Sequence, residues 1–178
     1  MTHDTAIRLS SYARDGASLS VKAFIAKHGE HFLARAMADG ALKPTPEARD
    51  EHKTTHKIRL PGTDGEGDVR LDDPSSLYLY PIGDLSSPVG VGRAATNRVC
   101  IDDVSISAHH AELELKDGRI YVTDKGSTNG TWVGGRPTPF AAAVEVSFGK
   151  GIVFGDVGVT LLGAAQVVDF LELADFES

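Results

Sequence analysis

Cysteine is almost missing from this chain of 178 residues, which contains only Cys100. A single cysteine cannot form an internal disulfide, so the fold must be held by its core and its hydrogen bonds. The scarcity also fits a reducing compartment, and we expect the protein to be cytoplasmic. Cys100 stands between Val99 and Ile101, and we interpret it as a buried apolar residue rather than a reactive thiol.

Two further absences exclude classes of partner. No apolar run approaches the ~20 residues of a membrane-spanning helix, and the N-terminus has neither the basic start nor the apolar stretch of a signal peptide. We therefore expect no membrane partner. Positive charge is also short, since 18 Lys and Arg against 25 Asp and Glu give a net charge of −7. This argues against nucleic acid as the main partner, because phosphate backbones need a basic face.

Short runs of β-branched and aromatic residues, separated by turn residues, fill the chain from residue 77 to residue 162. In the run at 110–115, Ala111, Leu113 and Leu115 should face the core while the glutamates between them face water. Many short strands, with 19 glycines available for turns, favour an all-β sandwich with antiparallel pairing. The pattern predicts strands at 77–80, 88–91, 99–101, 110–115, 119–123, 131–133, 144–148, 152–154 and 157–162.

Helical patterns flank these strands. Ser20 can cap a first short helix that Gly29 ends, and a second helix is predicted from Phe32 to Gly40. Residues 43–76 are crowded with charges and prolines and are interpreted as an extended or disordered linker. The predicted organisation is an N-terminal helical segment (1–42), a polar linker (43–76), a β-sandwich (77–164), and a C-terminal helix and tail (165–178).

Three polar stretches between the predicted strands carry most of the functional signal. Gly92-Arg93 follows one strand, residues 107–111 read Ser-Ala-His-His-Ala, and residues 127–131 read Ser-Thr-Asn-Gly-Thr. Arginine offers a planar fork of donors that matches phosphate, and hydroxyl and amide groups on a stiff turn add short donors. Brought to one place, these groups would form a site for a phosphorylated side chain.

In order and spacing, Gly92-Arg93, Ser107-x-x-His110-Ala111 and residues 127–131 resemble the signature of forkhead-associated (FHA) domains. The likeness extends to residues 146–152 and covers about half of the chain. It implies a sandwich of about eleven strands whose apical loops bind phosphothreonine peptides, in a signalling adaptor acting downstream of Ser/Thr kinases. We expect no catalytic activity, no cofactor and no metal.

The resemblance assigns binding roles to four residues. Arg93 and Ser107 would hold the phosphate, Thr128 would add a hydroxyl contact, and Asn129 would hold the backbone of the ligand.

Other positions of the motif are implied to be structural, namely Gly92, Gly130 and His110, which braces the loop that presents the serine. The family commonly has Arg, Asn or Lys after this serine, but here Ala108 stands there and cannot contact a phosphate. His109 follows and is a candidate to replace that contact.

The implied ligand is a phosphothreonine-containing protein or the chain's own linker, once a Ser/Thr kinase has phosphorylated it. Thr54 and Thr55 are the candidates within the linker. Ile58 stands three residues after Thr55, and FHA domains often select the residue at that position.

Two enzymatic interpretations use the same residues. Residues 90–95 fit the Gly-x-Gly-x-x-Ala pattern of dinucleotide sites, but that pattern must open a helix, and residues 96–101 read as a turn and a strand. Ser107, His109, His110 and the pair Asp102-Asp103 suggest a hydrolytic triad, but no nucleophile elbow surrounds the serine.

Two non-enzymatic alternatives remain. An FHA-like sandwich without phosphate binding would serve as a scaffold for oligomerisation or docking, and Ala108 favours that view. A metal site at His28 and His31, or at His52 and His56, is disfavoured because the spacing of the first pair does not match a zinc-binding helix.

Overall fold

The computed structural model of the protein describes residues 4–36 and 76–173. A 3-10 turn at Leu9–Tyr12 precedes α1 (Ala13–Ser18) and α2 (Val21–His28), and α3 (Ala164–Leu173) ends the described chain. Twelve strands make up most of the rest: β1 (Ile7–Arg8), β2 (His31–Ala36), β3 (Leu77–Pro81), β4 (Val89–Gly92), β5 (Val99–Cys100), β6 (Ala111–Lys116), β7 (Arg119–Asp124), β8 (Thr131–Val133), β9 (Arg136–Pro137), β10 (Ala143–Val146), β11 (Gly151–Phe154) and β12 (Val157–Gly163).

The strands form a sandwich of two sheets. One has seven strands in the order β1-β3-β2-β12-β11-β8-β9, and the other has five in the order β10-β7-β6-β4-β5. Pairing is antiparallel except between β4 and β5, which run parallel. The predicted all-β sandwich is confirmed, and each strand predicted between residues 77 and 162 is present.

The main core lies between the two sheets. Val91, Leu113 and Val122 from the five-stranded sheet, and Phe154 and Leu161 from the other, are fully buried in it. Each Å² of apolar surface removed from water contributes about 25 cal/mol to the free energy of unfolding, so this layer is the principal source of stability.

Leu115 departs from the predicted alternation along β6. Ala111 and Leu113 face the core as expected, but Leu115 is 38% exposed, so its predicted inward position is wrong. The reason is its place beside the β6–β7 turn, where the sandwich ends and where Leu115 borders an open cavity.

The second predicted helix, from Phe32 to Gly40, is wrong over its described part, because residues 31–36 form β2. β2 pairs with β3 on one side and β12 on the other, and Phe32 and Ala34 lie on one face while Leu33 lies in the core between the sheets. A strand buried on both faces is a continuous apolar run, and a short run of this kind has no periodicity that separates it from a buried helix.

The three helices cover the outer face of the seven-stranded sheet. The first predicted helix is confirmed as α2, with Ser20 Oγ accepting from the Ala23 N–H (3.3 Å) and Gly29 at its end with φ +91°. α3 confirms the predicted C-terminal helix. These helices bury a second apolar cluster against the sheet, in which Phe24 and Phe170 are almost inaccessible.

The division of the chain into four segments stays a prediction. Its first segment contributes β1 and β2 to the seven-stranded sheet, so that sheet extends beyond residues 77–164. Thr54 and Thr55 of the predicted linker, and the pair His52 and His56, lie outside the described residues. None of the helices in the described residues is both long and apolar enough to cross a bilayer.

Candidate functional site

Three loops meet at one end of the sandwich, and we call them the apical loops: residues 93–98, 101–110 and 125–130. Two of them lie at the same end because Ala111, which opens β6, pairs with Asp124, which closes β7. Hydrogen bonds join all three loops. The Arg93 N–H donates to the Ser107 carbonyl (2.9 Å), and the Thr128 N–H donates to Ser107 Oγ (3.0 Å). The structure therefore brings the sequence-predicted binding residues together.

Arg93 is exposed, and within residues 4–36 and 76–173 its guanidinium makes no hydrogen bond or ion pair. Its backbone is held firmly, because the N–H donates to Ser107 and the carbonyl accepts from Cys100 Sγ (3.4 Å). Gly92 is required for this arrangement, since a Cβ there would overlap the Ala108 carbonyl oxygen and lie 2.7 Å from Asn97 Nδ2. A fixed backbone thus presents a free cation.

Ser107, Thr128 and Asn129 leave donors available in the same group of loops. Ser107 Oγ accepts from the Thr128 N–H, so its own hydroxyl hydrogen remains free to donate. The Thr128 hydroxyl has no partner among the described residues. Asn129 uses one amide hydrogen on the Ser105 carbonyl (2.8 Å), which leaves its oxygen and second hydrogen for another group.

His110 is fully buried between the loops and is hydrogen-bonded at both ring nitrogens. Nδ1 accepts from the Ser107 N–H (3.1 Å) and Nε2 donates to the Gly130 carbonyl (2.9 Å), an assignment that follows from the partners. The ring also packs edge-on against Phe154. Burial lowers the pKa of His110, although the Gly130 carbonyl and the charge of Asp124 act against that shift. The neutral ring is the form that fits.

Asp124 is a site residue that the sequence reasoning missed. Its buried carboxylate accepts from the N–H groups of Gly126 and Ser127 (both 2.9 Å) and from the hydroxyls of Ser127 (2.6 Å) and Thr131 (2.7 Å). Burial alone would raise the pKa of Asp124, but these hydrogen bonds outweigh it and the pKa is lowered. The signal was an aspartate two residues before Gly126, which is the spacing of an Asx turn.

Asn97 is a second residue that was missed. Its Nδ2 donates to the carbonyls of Ala94 (2.9 Å) and Ala108 (2.6 Å), so one side chain ties two apical loops together. His109 is exposed, with Nδ1 3.4 Å from Asn97 Oδ1. The Ala108 methyl is exposed too and offers a ligand no polar group.

The enzymatic interpretations find little support in this geometry. Residues 93–98 form turns that lead into β5, where a dinucleotide site needs a helix. The Ser107 hydroxyl bonds to a backbone N–H, and both His110 nitrogens face backbone groups.

The two histidines considered for a metal site, His28 and His31, have separate surroundings, since His28 Nε2 lies 2.7 Å from Asp15 Oδ2 and His31 stacks on Phe148.

The family model of the FHA domain matches residues 89–155, a range that contains all three apical loops. Residues 89–155 form an FHA domain.

Curated relatives of this FHA domain belong to bacterial regulators. The chain is 40% identical over 62 residues to the glycogen accumulation regulator GarA of Mycolicibacterium smegmatis, covering 33% of this chain and 39% of that protein. It is 39% identical over 62 residues to an oxoglutarate dehydrogenase inhibitor of Corynebacterium diphtheriae, covering 33% and 43%. The match thus spans about two fifths of each relative.

Among solved structures, the N-terminal FHA domain of S. cerevisiae Rad53p, in complex with a phosphothreonine peptide, is similar with a TM-score of 0.40. The identity is 22%, and the match covers 47% of this chain and 73% of that one.

Proposed function

We propose that the FHA domain of this chain binds phosphothreonine peptides, and that the protein is a non-catalytic, cytoplasmic signalling adaptor acting downstream of a Ser/Thr kinase. One observation carries the proposal: Arg93, whose guanidinium is unpaired within the described residues, and Ser107, whose hydroxyl hydrogen is free, are joined through their backbones by a 2.9 Å hydrogen bond. A cation and a free hydroxyl donor held in fixed positions suit a phosphate dianion.

The free groups divide naturally between the two parts of such a ligand. Arg93, Ser107 and Thr128 each keep a free donor, and a phosphate offers acceptors near neutral pH. Asn129 keeps both a donor and an acceptor free, which suits the N–H and C=O of a peptide backbone. The net charge of −7 is compatible with this, because the basic group is local.

Regulation through a protein partner fits the relatives, which are named as a regulator of glycogen accumulation and an inhibitor of oxoglutarate dehydrogenase. The proposed ligand is a phosphothreonine in a partner protein, or in this chain at Thr54 or Thr55. The scaffold alternative has one favouring observation, the exposed methyl of Ala108 at the edge of the site.

Calorimetric titration tests the proposal, with an oriented phosphothreonine peptide pool and its unphosphorylated twin as ligands. We expect micromolar binding of the phosphorylated pool only. Arg93→Ala should abolish detectable binding, because it removes one or two hydrogen bonds to a charged group, worth about 1.5–3 kcal/mol each. Its melting temperature should stay within a degree or two of the parent, since the side chain is exposed.

Arg136→Ala is the matched control, because it removes the same charge from an exposed position on β9. It should bind as the parent does. Equal binding of both peptide pools, insensitive to Arg93→Ala, would reject phosphate recognition and support the scaffold. If the parent binds neither pool, mass spectrometry for phosphate on Thr54 or Thr55 decides whether the chain already occupies its own site.

A further inference from the structure

A cavity of about 350 Å³ opens at the opposite end of the sandwich, and we call it the basal cavity. It lies between the β6–β7 turn, the end of β10 and the start of β2, and its walls include Glu30, His31, Leu115, Arg119, Glu145 and Phe148. The register places it away from the apical loops, because Lys116 pairs with Arg119 at the far end of the β6–β7 pair. The proposed phosphopeptide site uses none of these residues.

His31 makes this cavity unusual. It is only 7% exposed, and its buried Nδ1 has no hydrogen-bond partner among the described residues, whereas buried side-chain nitrogens are nearly always paired. The imidazole stacks on the Phe148 ring, with centroids 5.9 Å apart and planes 22° from parallel. Phe148 is itself 41% exposed, so part of this aromatic pair is open to a ligand.

The charges around the cavity favour a cationic ligand. Arg119 pairs with Glu145 (Nη1 to Oε2, 3.2 Å), which neutralises both. The exposed carboxylate of Glu30 has no ion-pair partner among residues 4–36 and 76–173. The rim therefore keeps one uncompensated negative charge, and an anion would be repelled.

We propose that the basal cavity is a second binding site, which takes an arginine side chain from a segment of a partner protein. A guanidinium carries donors only and stacks on aromatic faces. It would lie on the exposed part of the Phe148 ring and pair with Glu30, while its aliphatic stem covers Leu115. The cavity offers the negative charge of Glu30, the exposed ring of Phe148 and the apolar surface of Leu115, and an arginine side chain matches all three.

Nuclear magnetic resonance titration of the whole isotope-labelled chain tests this site, with N-acetyl-arginine-N-methylamide as the probe. The norleucine and glutamate analogues are controls for the stem and for charge. We expect saturable shifts of the amides of Glu30, His31 and Phe148, and none at Arg93. Glu30→Gln and Phe148→Ala should each weaken binding about threefold, in line with one exposed ion pair and one cation–π contact.

Two more variants separate a loss of binding from a loss of stability, and the basal cavity from the proposed phosphopeptide site. Phe148→Leu keeps apolar bulk but removes the ring face, so it should weaken binding while the melting temperature stays close to that of the parent. Arg93→Ala should leave the arginine probe unaffected, which separates this site from the proposed phosphopeptide site.

Other outcomes would overturn the proposal. The absence of saturable shifts would show that the cavity does not bind the arginine probe. Equal binding of the norleucine analogue would show that the cavity takes apolar side chains without recognising the guanidinium. Concentration-dependent sedimentation of the parent that Phe148→Ala abolishes would identify a second copy of the chain, not a partner's arginine, as the occupant.

Discussion

The two ends of the sandwich are chemical opposites. At the apical end the unpaired charge among the described residues is the cationic Arg93 guanidinium, and the hydroxyls of Ser107 and Thr128 add free donors. At the basal end the unpaired charge in the described part of the chain is the anionic Glu30 carboxylate. One fold of net charge −7 thus separates a surface for anions from a surface for cations. The difference shows that local pairing, not total charge, decides what each surface can bind.

Replacing Asp124 should have the largest effect on the apical end, because its buried carboxylate holds the loop of residues 125–130 in place. Asp124→Ala leaves donors of Gly126, Ser127 and Thr131 without their acceptor, so we expect a loss of about 3 kcal/mol of unfolding free energy and of phosphopeptide binding. Urea denaturation measures the first effect. Since the pKa of Asp124 is lowered on folding, the parent keeps this contribution above pH 3.8 and loses it as the pH falls further.

Asp156→Ala is the control for that prediction. Asp156 is exposed and bonds to Ser105 through its backbone N–H, so its variant should differ from the parent by less than about 0.5 kcal/mol. Equal stabilities of the two variants would show that the buried carboxylate does not support the apical loops.

Gly92 gives the next largest effect, because two apical loops approach each other over it. A Cβ at Gly92 would overlap the Ala108 carbonyl and crowd Asn97, so Gly92→Ala should destabilise the fold by about 2 kcal/mol and weaken phosphopeptide binding. Gly158→Ala is matched, since a Cβ there meets no heavy atom within 4 Å. It should be neutral or slightly stabilising by thermal denaturation. Similar losses of stability in both variants would mean that glycine is needed at position 92 for its backbone freedom and not for the close approach of the two loops.

The apical end was predictable because its information is local. Gly92-Arg93, the serine loop and residues 127–131 are short motifs, and the strands that carry them alternate clearly. Asp124 was readable in principle from its turn spacing. Asn97 was not, because its role depends on the Ala108 carbonyl, which only the folded chain brings within 2.6 Å.

The basal end was not predictable, and the reason is β2. The sequence placed residues 32–40 in a helix, and only tertiary pairing with β3 and β12 makes residues 31–36 a strand. That strand brings His31 against Phe148, a residue more than a hundred positions away. Leu115 was assigned to the core for a related reason, since alternation alone does not reveal where the facing sheet ends.

A smaller effect should come from His110, which is buried at the apical end. Both of its ring nitrogens have hydrogen-bond partners, so protonation of the ring should weaken the apical loops. Burial lowers the pKa of His110 in the folded state, while the unfolded chain keeps the ordinary value of 6.5. The unfolded state therefore takes up the proton first. The contribution of neutral His110 to the free energy of unfolding is fully present above pH 6.5 and is lost as the pH falls toward the pKa of the folded state.

The loss amounts to about 1.4 kcal/mol for each unit by which the two pKa values differ. Urea denaturation from pH 7.5 to pH 5 should show the advantage of the parent over His110→Gln shrinking as the solution is acidified, because glutamine does not titrate. The charge of Asp124 faces the ring and limits the size of this effect without reversing it. An advantage that stays constant over this range would mean that proton uptake by His110 does not weaken the apical loops.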